Sequence, residues 1–137
     1  MKLPNLENAY IQPQKLTGYL LSETHAVGAS KAKLLRAFSF SKENVAMLEQ
    51  ELLSIAQTQE VQDFIPTEHG IKYVIDGDIE TPQGRQLKLR TVWIIDTGQT
   101  TPRFVTARPL KLNQEKTSYE SNDQYRDSGT RYGSSNS

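Results

Sequence analysis

Between Gly84 and Pro109 the chain reads GRQLKLRTVWIIDTGQTTPRFVTARP, and this stretch limits the possible folds more than any other. Leu87, Leu89, Thr91, Trp93 and Ile95 alternate with Lys88, Arg90, Val92 and Ile94. That is the period-2 pattern of a strand, in which a slip of one residue would exchange the two faces. Asp96-Thr97-Gly98-Gln99 suits a tight reversal, since Asp bonds its own backbone and Gly accepts positive φ. A second strand, 103–108, follows. Strict alternation places Arg103, Val105 and Ala107 on one face and Phe104, Thr106 and Arg108 on the other. On that reading Arg103 and Thr106 do not reach one site unless the strand ends or bulges there. Pro102 and Pro109 bracket the strand and cannot donate to a ladder. Such a hairpin can support a core and also present a surface that binds anions, and the residues alone do not choose between these roles.

The segments before the hairpin set the fold class. Pro13 suits the first position of a short helix to Leu21, on which Leu16, Tyr19 and Leu20 share a face. Ser30 is placed to cap a helix to about Phe38, with Ala32, Leu34, Leu35 and Phe38 as its buried side. A third helix, capped near Ser41 and running to about Gln57, carries the stripe Val45, Leu48, Leu52, Ile55. After Gln59 the period changes. Val61–Pro66 and Ile71–Ile75 read as strands around a turn at 67–70. Asp76-Gly77-Asp78 reads as a bend or bulge, and Thr81-Pro82-Gln83-Gly84 as a turn. Helices followed by closely spaced strands predict an α+β fold, two to three N-terminal helices packed on a four-stranded antiparallel meander. The expected division is one globular domain over 1–112 and a disordered polar tail over 113–137, since Lys116 to Ser137 contains no aliphatic residue.

Several function classes lose support. There is no cysteine, so disulfides and thiolate metal sites are excluded, and a reducing cytoplasm is the expected compartment. No apolar run approaches the roughly 20 residues of a membrane span. MKLPNLENAY lacks the apolar core of a secretory signal. The two histidines, His25 and His69, form no metal-ligand motif. Neither a phosphate-cradling glycine loop nor a GxSxG nucleophile elbow is present. No cofactor and no metal are implied.

The formal net charge of zero conceals segregation. Residues 25–42 carry four cations, Lys31, Lys33, Arg36 and Lys42, and no acid. Residues 43–69 carry six acids and no Lys or Arg, and residues 85–111 carry six cations against Asp96 alone. Either these are solvated faces that offset one another, or the two basic blocks meet and form a local site for a polyanion. His25, ahead of Gly28 and Lys31 at a helix start, is the residue best placed to move a proton near neutral pH. By spacing alone, a loop histidine capping a helix is the plainer reading.

The ordered set KLxxYLL (Lys15 to Leu21), HxxGxSKA (His25 to Ala32), Lys72-Tyr73-Val74, TPxGR (Thr81 to Arg85), Thr91-Val92-Trp93-Ile94 and PRFVTA (Pro102 to Ala107) resembles a small bacterial domain family of uncharacterised function, common in cyanobacteria. Its relatives occur alone or at the C-termini of phage-head and adhesin-like proteins, a placement that implies a toxin-like module. The layout is also similar to the barnase–EndoU–colicin–RelE superfamily. That resemblance implies a metal-independent ribonuclease with RNA as substrate, a cognate antitoxin or immunity protein as partner, and no membrane association. It assigns His25, Lys31 and Thr106 to catalysis and Arg90, Thr91 and Arg103 to holding the phosphate. Relatives usually carry Tyr-Pro where this chain has Arg108-Pro109; if that tyrosine is catalytic in them, this copy is impaired or uses another group. The alternative is a non-catalytic protein-binding module, an antitoxin partner or a phage-associated adaptor.

Overall fold

Trp93 is completely enclosed, and the strand alternation around it determines how the sheet is covered. The computed structural model describes residues 1–22 and 29–110, with backbone only for residues 29 and 30. Four strands form an antiparallel meander in the order β1-β2-β3-β4: β1 Val61–Thr67, β2 Gly70–Glu80, β3 Gln86–Asp96 and β4 Arg103–Pro109. Leu87, Leu89, Thr91 and Trp93 of β3 pair with Ile79, Gly77, Ile75 and Tyr73 of β2, all on the core face. Trp93 meets Phe104 of β4 edge to face at 5.3 Å, the arrangement that the ring quadrupoles favour.

Three helices pack on that face, giving the α+β class. The first, α1 (13–20), opens as an α-helical turn, Pro13–Lys15, and continues as a π-helical turn, Leu16–Leu20. The second and third are α2, Ala29–Ala37, and α3, Val45–Thr58. Ser30 lies inside α2, not at its cap. At the far end of α2, Ser39 takes φ 73°, the left-handed position that glycine usually holds. The Phe40 N–H then bonds the Leu35 carbonyl at 3.0 Å. This reversal buries Phe40, while Phe38 stays half-exposed with the Arg85 guanidinium 5.1 Å above its ring.

A capping box opens the way into α3. Ser41 Oγ accepts from the Glu43 N–H at 3.2 Å, and Asn44 Oδ1 accepts from the Ser41 N–H at 2.8 Å. The expected stripe is confirmed in Leu48, Leu52 and Ile55, all buried.

Two further expectations are corrected. Asp76-Gly77-Asp78 is no bend, since β2 runs through it with Asp76 opposite Arg90, Gly77 opposite Leu89 and Asp78 opposite Lys88. The glycine is there because α3 crosses it: a Cβ at Gly77 would lie 2.9 Å from Ile55 Cγ1. The aspartates are cross-strand partners of cations. The second correction is in β4. Val92 pairs with Thr106 but Trp93 pairs with Phe104, so Val105 is a bulge residue. The bulge shifts the alternation and puts Phe104 and Ala107 together in the core.

The open edge of β4 is covered from the N-terminus. Tyr10 bridges to Arg103, the Phe104 N–H bonding the Tyr10 carbonyl at 3.0 Å and the Tyr10 N–H bonding the Pro102 carbonyl at 3.1 Å. The chain then turns into α1, which contacts β4.

Candidate functional site

Two helices and the β4 edge converge on one phenol. In the π-helical turn of α1 the Leu21 N–H reaches back five residues to the Leu16 carbonyl at 2.9 Å. Such turns re-aim side chains and are frequent at functional sites. Here the turn carries Tyr19, whose hydroxyl lies 3.0 Å from Thr106 Oγ1, with either oxygen able to donate. Lys15, four residues earlier and so on the same helix flank, donates from Nζ to the Val105 carbonyl at 2.9 Å. Its ammonium is 5.0 Å from the Tyr19 ring centroid, and that of Lys31, near the start of α2, is 5.9 Å from it. Both lie within cation–π range.

Burial and like charge both act on this cluster. Burial holds the Lys15 pKa below the ordinary lysine value, and the nearby Arg103 guanidinium pushes it the same way. Arg103 grips Asp96 through Nε at 2.7 Å and Nη2 at 2.9 Å. That hydrogen-bonded pair raises the Arg103 pKa and depresses that of Asp96.

Lys31 and Arg108 line one recess, floored by aliphatic side chains including Leu20, Leu35, Leu52 and Ala107. One cation from each basic block of the sequence therefore lines this recess.

The sequence matches the family described as a domain of unknown function (DUF6883) over residues 2–111. The chain belongs to that family. No curated protein matches this DUF6883 chain. Its fold is similar to that of a chain from the contact-dependent growth inhibition toxin–immunity protein complex of Klebsiella pneumoniae 342. The TM-score is 0.62 at 12% identity, covering 77% of this chain and 97% of that one. At that identity the likeness is one of fold.

Placed on this DUF6883 fold, the residues singled out in the sequence separate. Lys31 and Thr106 are brought together by Tyr19. The Val105 bulge sets Arg103 and Thr106 on one face, opposite Ile94 and Val92 of β3. Arg90 lies on the same outer face and holds Asp76 through Nε and Nη2, both at 2.7 Å. Thr91 faces the other way. It is 0% exposed, donates to the Ile75 carbonyl at 2.7 Å and accepts from Trp93 Nε1 at 2.8 Å. Its hydroxyl is therefore spent within the core. His25 and Gly28 fall within residues 23–28, and the polar tail within 111–137, all outside the described residues.

Sequence reasoning missed Lys15 and Tyr19 as site residues, reading Tyr19 only as part of an apolar helix face. The available signal was their i, i+4 spacing, which sets a cation beside a ring on a helix. Among the described residues, no group of three or more His, Asp or Glu side chains is placed to hold a metal ion. No helix among them is long and apolar enough to cross a membrane.

Proposed function

We propose that this DUF6883 chain is a toxin-like, metal-independent ribonuclease of a bacterial toxin–antitoxin or polymorphic-toxin system, acting in the cytoplasm and neutralised by a cognate antitoxin or immunity protein. The observation that carries this reading is the convergence of Lys31 and Thr106, remote in sequence, on the Tyr19 hydroxyl and ring. The fold shared with a chain of a toxin–immunity complex supports the toxin setting. The absence of cysteine suits a reducing compartment.

The chemistry needs a base, an acid and cations on the phosphoryl oxygens. His25, in the segment that joins α1 to α2, takes the proton from the ribose 2′-OH. The 2′-oxygen then bonds phosphorus and the P–O5′ bond breaks. The leaving 5′-oxygen receives a proton through the Tyr19–Thr106 hydroxyl pair, and the products are a 2′,3′-cyclic phosphate and a 5′-hydroxyl. Lys31 balances the phosphate charge, with Lys15 and Arg103 along the strand edge. Tyr19 supplies the phenol that position 108 lacks, and Thr91, locked in the core, is left out of the site.

The test is incubation of the purified chain with cellular RNA in EDTA, beside His25→Ala, Lys31→Ala and Tyr19→Phe. Cleavage that survives EDTA and falls at least about a hundredfold in His25→Ala supports the mechanism. Cleavage unchanged in both His25→Ala and Lys31→Ala sinks the site.

A second reading, a non-catalytic binding module of antitoxin, immunity or adaptor type, draws support from the two outer-face arginines, each already holding a carboxylate in a bidentate pair. It predicts no cleavage and a stable complex with the product of the neighbouring gene.

A further inference from the structure

One aromatic side chain beside the proposed site has no part in the chemistry above. Tyr10 is 42% exposed, although the backbone at this residue is fixed by two hydrogen bonds to the β4 edge. It is the bridge partner of Arg103, and bridge partners project their side chains to the same side of a sheet. Thr106 shares that side, because the bulge at Val105 restores the phase between Arg103 and Thr106. The order along the outer edge of β4 is therefore Tyr10 beside Arg103, then Lys15 at the bulge carbonyl, then Thr106 with Tyr19. Thr106 and Arg103 stand opposite Val92 and Ile94, two residues apart on β3, so they are about 7 Å apart along the strand. A cationic edge with an exposed ring held rigidly one step from a phosphate position is the composition of a single-strand binding track. In such a track cations follow the backbone and an aromatic face receives an unstacked base.

We propose that Tyr10 is a base-stacking residue and that the substrate of this site is single-stranded RNA lying along β4 on the outer face of the sheet, over Tyr10, Arg103 and Thr106. This rests on the ribonuclease reading and deepens it. In a duplex the base faces are stacked on one another and closed to Tyr10, so only the charges remain to bind it, and these serve either form. The ring face contacts any base, so the track has little sequence preference of its own. Arg103 and Lys15 fix the strand in register, with a phosphate at Thr106 and the neighbouring base over Tyr10.

The experiment measures binding of the full chain to a short 2′-O-methyl oligoribonucleotide by fluorescence anisotropy, as a single strand and as a duplex with its complement. The 2′-O-methyl group removes the nucleophile, so binding is read apart from cleavage. The single strand is expected to bind about tenfold or more tighter than the duplex. Tyr10→Leu is expected to weaken single-strand binding by about tenfold and leave duplex binding within about twofold, while Tyr10→Phe retains the wild-type preference. The backbone bonds at Tyr10 do not depend on its side chain, and an unchanged melting temperature checks that the variant is folded. Equal affinity for the two forms overturns the single-strand inference and leaves the ribonuclease reading standing. An unchanged single-strand affinity in Tyr10→Leu overturns the stacking role. Absence of binding to either form overturns both this inference and the ribonuclease reading on which it rests.

Discussion

Thr91→Val tests whether the hydroxyl at the centre of β3 serves the core and not the substrate. The change is nearly isosteric, so packing around Trp93 is preserved and the loss is that of one oxygen. That oxygen accepts from Trp93 Nε1 at 2.8 Å and donates to the Ile75 carbonyl at 2.7 Å, at a position with 0% exposure. Without it the indole N–H is left buried and unbonded, at about 1–3 kcal/mol, and the carbonyl loses a donor worth about 1 kcal/mol. The methyl that replaces the hydroxyl returns about 0.8 kcal/mol. The net expected destabilisation is about 1–3 kcal/mol, or a fall in Tm of roughly 4–12 °C for a domain of this size. Thr91→Ser keeps the oxygen and removes one methyl, so it should cost only about 1 kcal/mol. Urea unfolding of the three proteins, followed by Trp93 fluorescence, reads the order directly. The less apolar serine should be the more stable variant, and binding of 2′-O-methyl RNA below both transitions should match wild type in each. A valine variant as stable as the serine variant would refute the hydrogen-bond account. A stable valine variant that has lost RNA binding would return Thr91 to the substrate.

Gly77→Ala should destabilise by about 1–3 kcal/mol, because its Cβ would press on Ile55 Cγ1 at 2.9 Å and on Gln59 Cγ at 3.2 Å; Ile55→Val in the same chain should recover part of the loss in a urea titration. Ser41→Ala removes the acceptor of the Glu43 N–H and should cost about 1 kcal/mol, with amide exchange quickening first over residues 42–45. Asp96 has a folded pKa depressed by Arg103, so its contribution to stability is full above the ordinary carboxylate value of about 4 and is lost as pH falls through the lowered one. Asp96→Asn should therefore flatten the decline of the urea midpoint below about pH 4 and leave its shape near neutrality unchanged.

The order of elements, the meander and the α3 stripe were legible because each is set by near neighbours. Alternation fixes which side of β3 meets the core, and Leu48, Leu52 and Ile55 need only the helical period to fall on one face. The Asp76-Gly77-Asp78 run misled, since its residues favour turns when considered alone. What keeps it in β2 is remote: Ile55 over the glycine, and Arg90 and Lys88 opposite the aspartates. The same holds for the site. Tyr19 and Thr106 are 87 residues apart, and Lys15 and Val105 are 90 apart. A bulge has no period of its own to detect, yet the one at Val105 decides that Arg103 and Thr106 share a face.

The carboxylates on the outer-face arginines fit a site as well as they fit a sealed surface. Asp96 engages Nε and Nη2 of Arg103, and Asp76 engages the same two atoms of Arg90. The Asp96 pair leaves Nη1 of Arg103 outside the fork. A guanidinium held on one side by a carboxylate loses rotamer freedom before any ligand arrives, so less entropy remains to be lost when Nη1 meets a phosphoryl oxygen. The cost is a local negative charge that weakens the attraction, and the outcome depends on whether other cations outweigh it. At Arg103 they are at hand, since Lys15 is near enough for the guanidinium to depress its pKa and Lys31 shares the Tyr19 ring with it. At Arg90 the cross-strand neighbour in β4 is Arg108, which also lines the recess with Lys31. On the proposed reading, Arg103, fixed by Asp96 and flanked by Lys15, would orient a phosphate, with attraction supplied by the lysines and direction by the ion pair.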